Sequence, residues 1–155
     1  MQSPPSRSAN TLEPLTKAEV KQLVEIWYTM LDIHPPVAEM LPMLTDENLM
    51  MQLPEITLHS QVDFLQWYAG VIHKFFNEVH TLKEVSIHIA EKQAEVHLIV
   101  NWQANTWLPP AAKSQWIGFD ATQRWLVERS EKTQQPIIVT YIVEKLIPMA
   151  VSTGL

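Results

Sequence analysis

An amide at Gln123 stands among apolar and aromatic neighbours in the series Ile117, Phe119, Ala121, Gln123 and Trp125, where each residue is two from the next. On an extended strand that spacing turns all five side chains to one face. Gln123 is then a polar group in an apolar wall, either orienting the carbonyl or hydroxyl of a ligand or satisfied within the core. Phe119 and Trp125 belong to the same wall. Three phenols, Tyr28, Tyr68 and Tyr141, add donors that need partners wherever they are buried and are further candidates for contact with a ligand.

Two residues are candidates for acid/base work. His73 falls on the polar side of a helix with Gln66, Gly70 and Asn77, and its imidazole titrates near neutral pH. Asp120 belongs to the opposite parity set, with Trp116, Gly118, Thr122 and Arg124, so it reaches the Gln123 face only if a one-residue bulge turns it inward. Without the bulge, Asp120 and Arg124 lie on the outer sheet surface, about 13 Å apart along the strand, solvated or paired across a symmetric interface. His80 sits where helix gives way to strand, placed to cap or hydrogen-bond the loop backbone. His88 and His97 flank one hairpin without a third ligand, and with no cysteine in the chain no metal site is expected. No Gly-rich phosphate loop, nucleophile elbow or zinc signature occurs, so no cofactor is expected.

These residues must be positioned by helices and long strands. Thr16 to Glu19 forms a capping box, after which Val20, Leu23, Val24, Trp27 and Leu31 recur at helical spacing until His34, Pro35 and Pro36. Val37 to Leu44 predicts a shorter helix limited by Pro42, and Leu49 to Leu53 a short strand. Ser60 caps a second long helix whose apolar stripe is Phe64, Leu65, Tyr68, Ile72, Phe75 and Phe76. From His80 the period becomes two, with Val85, Ile87 and Ile89 on one face. A turn at Ala90 to Gln93 leads to a long strand that ends at Leu108, Pro109 and Pro110. Ser114 to Glu128 and Pro136 to Leu146 predict the last two strands. Strands this long must twist and curl, which creates a concave side. Helices ahead of an antiparallel meander indicate an α+β fold.

At 155 residues the chain suits one domain, expected over 15–147, between a flexible N-terminal arm at 1–14 and a tail at 148–155. Apolar residues make up 46%, enough for a sizeable core. A formal charge of -6 with scattered Lys and Arg argues against nucleic acid as a partner. No stretch is long and apolar enough for a bilayer, and the Ser/Pro-rich start has no signal-peptide core, so a cytoplasmic protein with no membrane partner is expected.

The order of elements over Thr16 to Leu146, with the aromatic helix Phe64 to Phe76 and the stretches Trp102 to Pro110 and Phe119 to Trp125, resembles the nuclear transport factor two-like superfamily. Ketosteroid isomerases and SnoaL-like polyketide cyclases belong to it. The resemblance implies a cystatin-like cone: a strongly curved antiparallel sheet, helices packed on its concave face, an internal cavity, and an outer face that forms a homodimer. It also implies a neutral acid or phenol that donates to a developing oxyanion, and a carboxylate base. The isomerase pattern places an acid four residues before the aromatic, where this chain has Ala121 before Trp125, and Leu49 to Leu53 holds no carboxylate. Two functions are therefore expected. One is a cofactor-independent isomerase, cyclase or dehydratase acting on a small apolar molecule. The other is a non-catalytic dimeric module that binds an apolar ligand or a protein.

Overall fold

The structure is a computed structural model and describes residues 12–155. The first eleven residues of the expected N-terminal arm lie outside the described residues. Helix α1, Lys17–Ile33, begins at the expected capping box, with the Thr16 hydroxyl accepting from the Glu19 backbone and the Glu19 carboxylate accepting from Thr16. It ends at His34, whose left-handed φ of 53° turns the chain. Two short 3-10 turns follow in place of the single short helix, because Pro42 interrupts the hydrogen-bond ladder. Strands β1, Met50–Gln52, and β2, Thr57–Leu58, form a small hairpin. Helix α2, Gln61–Lys74, is capped by the Ser60 hydroxyl.

Four long strands complete the chain: β3, Phe75–Ala90; β4, Gln93–Thr106; β5, Gln115–Arg129; and β6, Pro136–Pro148. Helix α2 is shorter than its apolar stripe predicts. Phe75 and Phe76 already pair with Thr106 and Asn105, so the sheet claims two aromatic residues that the helical spacing also fitted. The sheet order is β2-β1-β6-β5-β4-β3, antiparallel except where β1 runs beside β6.

The inner face is where the core sits. Trp125 and Trp27 are almost fully buried, their rings meeting edge to face at 6.4 Å, with Tyr141 against both. On the outer face, the Trp116 indole lies over Gly118, where an added Cβ would come within 2.6 Å of it.

Two bulges on β3 decide which of its residues face inward. One extra residue is accommodated between Phe76 and Val79 and another, Lys83, between Leu82 and Glu84. Each extra residue shifts the alternation by one. Phe75 faces in before the first bulge, Glu78, His80 and Leu82 face in between the two, and Val85, Ile87 and Ile89 face in after the second.

Candidate functional site

A cavity of about 620 Å³ opens between the end of α1, the side of α2 and the inner face of β3 to β6. Its walls include Leu31, Val71, Phe75, Val100, Trp102, Ala121, Val143 and Leu146, with Pro54, Trp67 and Lys74 also on its lining. Into this apolar surface project Glu78, His80, Gln123 and Tyr141. A second, more polar groove of about 730 Å³ lies near the 91–92 and 128–132 turns, lined largely by charged side chains and by no histidine.

The last turn of α1 and its cap supply partners for the two titratable β3 residues that line the cavity, His80 and Glu78. Asp32 Oδ1 lies 2.6 Å from Nδ1 of His80, and Asp32 Oδ2 accepts the His80 backbone N–H at 3.1 Å. An ionised carboxylate only accepts, so in the neutral ring Nδ1 carries the proton and the lone pair lies on Nε2. Nε2 has no hydrogen-bond partner among the described residues. The ring is held flat against Tyr28 at 5.0 Å and Trp102 at 6.2 Å, both stacked. His34 Nε2 pairs with Glu78 Oε2, and the Trp102 indole N–H donates to Glu78 Oε1 at 2.9 Å. The Glu78 side chain is only 4% exposed.

Gln123 Oε1 accepts from the Tyr28 hydroxyl at 2.8 Å and from the Trp125 indole at 3.0 Å. The indole can only donate, which fixes the amide orientation and turns its NH₂ toward the Tyr141 phenol, to which Gln123 is also hydrogen-bonded. The second amide N–H remains available on the cavity wall. Burial, reinforced by the Tyr141 phenol, raises the Tyr28 pKa well above the ordinary value, and burial raises that of Tyr141. Both phenols are therefore neutral donors at physiological pH.

The two acid/base candidates from sequence lie elsewhere. His73 is exposed on α2 and does not line the cavity, because the helix turns Gly70, Val71 and Lys74 toward it instead. Asp120 remains on the outer face, since β4 and β5 pair without a bulge there. Its carboxylate accepts from Asn101 at 3.0 Å and Lys83 at 3.3 Å, which hold its pKa down.

Of the proposed ligand contacts, Gln123 and Tyr141 line the cavity, and Tyr28 stands directly behind His80 and Gln123. Phe119 stacks on the cavity-lining Trp102, and Trp125 is core. Tyr68 is turned away from the cavity, its hydroxyl donating to the Pro35 carbonyl at 2.6 Å. Sequence spacing puts His80 at a helix end and gives no role to Asp32, His34 or Glu78. An acid in the last turn of a helix is a visible signal, because the dipole disfavours it there.

No protein-family model matches this chain, and no curated protein sequence matches it. Solved structures do. A hexachlorocyclohexane dehydrochlorinase from Novosphingobium barchaimii superposes with a TM-score of 0.69 at 12% identity, covering 90% of this chain and 93% of that one. A nuclear transport factor 2-like superfamily protein from Salmonella enterica gives 0.69 at 11%, covering 90% and 96%. A protein with a cystatin-like fold from Nostoc punctiforme gives 0.66 at 12%, covering 93% and 98%. No helix among the described residues is long and apolar enough to cross a membrane. The curved sheet, the helices on its concave side and these superpositions together establish that the chain has the α+β, cystatin-like fold of the nuclear transport factor 2-like superfamily.

Proposed function

We propose that the cavity is the active site of a cofactor-independent enzyme that removes a proton from carbon beside the carbonyl of a small apolar substrate. The observation that carries this reading is the Asp32–His80 pair, whose imidazole lies on the wall of a mostly apolar cavity. His80 Nε2 takes the proton, and Asp32 stabilises the imidazolium that forms. The Gln123 NH₂ donates to the oxygen on which charge develops. Low polarity in the walls strengthens both interactions.

Aromatic walls at Trp67, Phe75 and Trp102 favour a substrate with a flat ring. A structural neighbour named as a dehydrochlorinase carries out an elimination, a class of reaction in which a proton also leaves carbon. An isomerase, a cyclase or a dehydratase all share that first step.

The test is exchange of the α-protons of benzylacetone in deuterium oxide, followed by proton NMR. The protein is expected to accelerate exchange over buffer, and His80→Gln to remove about 10²–10⁴-fold of that acceleration. Equal rates with and without His80 would reject the reading.

A further inference from the structure

We infer that Glu78, backed by His34, is a general acid in the same cavity, and that the substrate carries a hydroxyl group β to its carbonyl. This rests on the reading of His80 as the base. Glu78 and His80 are two apart on the one stretch of β3 that the flanking bulges turn inward, so their backbones are about 7 Å apart on the same wall. That separation spans the α-hydrogen and the β-oxygen of one substrate.

The two residues are partnered in opposite senses. α1 gives a carboxylate to the β3 imidazole and its cap gives an imidazole to the β3 carboxylate. A single base would serve an isomerase; the second pair is surplus to proton abstraction. Glu78 is nearly inaccessible, yet His34 is 21% exposed on its side chain, so the pair links the cavity to solvent. Trp102 holds the other Glu78 oxygen, fixing the carboxyl without supplying a proton that can be lost.

In the step this allows, the α C–H bond breaks and its proton goes to His80 Nε2. The electron pair forms the carbon–carbon double bond, and the β C–O bond breaks. The departing oxygen takes the proton that Glu78 and His34 share, and leaves as water. His80 then returns its proton to solvent, and the Glu78–His34 pair recovers one through His34. No oxidant or reductant enters.

The probes are the aldol of benzaldehyde with acetone and its para-nitrophenyl ether. Both eliminate to benzylideneacetone, one losing water, which needs an acid, the other nitrophenoxide, which does not. Glu78→Gln keeps an oxygen for the Trp102 N–H and is expected to slow loss of water by about 10²-fold or more while leaving nitrophenoxide loss within about threefold. His34→Asn, in a left-handed position that Asn tolerates, is expected to slow loss of water selectively by about tenfold, and it carries the test if Glu78→Gln does not fold. His80→Gln is expected to slow both.

Equal slowing of both reactions by Glu78→Gln, no slowing of either, or a wild-type protein that expels only nitrophenoxide each overturns the acid and leaves the base intact. A wild-type protein that expels neither group, or a His80→Gln variant that expels both normally, overturns the base itself.

Discussion

Asp32 holds His80 at both ends, accepting from the ring Nδ1–H at 2.6 Å and from the backbone N–H at 3.1 Å. The two bonds set the ring's tautomer and lock its position on β3. The helix dipole opposes a carboxylate in the last turn of α1, so this residue is placed against local preference. Asp32→Asn is expected to keep the fold and lower turnover by about 10²–10⁴-fold, because the amide no longer stabilises an imidazolium. Circular dichroism alongside single-turnover rates checks both parts.

Gln123 connects the core to the cavity wall. Gln123→Leu strands the Trp125 indole and the Tyr28 hydroxyl in the core, and a loss of about 2–4 kcal/mol is expected by denaturant unfolding. Gln123→Glu retains the acceptor but removes the NH₂. Its expected signature is a kcat lowered by about 10²–10³-fold with benzylacetone still bound.

Ala121 is buried and lines the cavity floor beside Gln123. Ala121→Phe is expected to fill open space and abolish the thermal stabilisation that benzylacetone gives the wild type. Its own unfolding free energy should change by no more than about 1–3 kcal/mol, since the added ring enters a void and not packed core. Differential scanning fluorimetry with and without the ketone reads both quantities.

Arg129 ties the start of α1 to the sheet, donating to the Glu13, Pro14 and Gln134 carbonyls and to the Glu19 carboxylate. The Arg129 bond is the main reason that the Glu19 pKa falls from 4.5 to about 2. A lowered folded-state pKa stabilises the native state fully above 4.5, and that contribution is lost as pH falls toward 2. Glu19→Gln is therefore expected to be less stable than wild type at neutral pH, with the difference closing across that window. Urea midpoints measured at several pH values report it.

The main elements could be read from sequence because each rested on a strong local signal. Thr16 and Glu19 specify the start of α1, Ser60 that of α2, and the parity of Ile117 to Trp125 correctly places Gln123 inward and Asp120 outward. The catalytic candidates were hidden by β3. Alternation extended back from Val85, Ile87 and Ile89 assigns His80 to the outer face, and only the Lys83 bulge reverses it. Nothing local in the residues around Lys83 signals that extra residue. Asp32 and His80 are far apart in the chain and meet only when α1 packs on β3, a long-range contact that spacing along one element does not encode.

Proton abstraction in this cavity requires that Asp32 direct His80 to present an unprotonated Nε2. Long-range proton–nitrogen NMR correlations of the imidazole, recorded near neutral pH, measure that tautomer. The predicted spectrum has His80 protonated at Nδ1 and bare at Nε2, with the pattern lost in Asp32→Asn. A proton resident on Nε2 in the wild-type protein, or an unchanged spectrum in the variant, would contradict it.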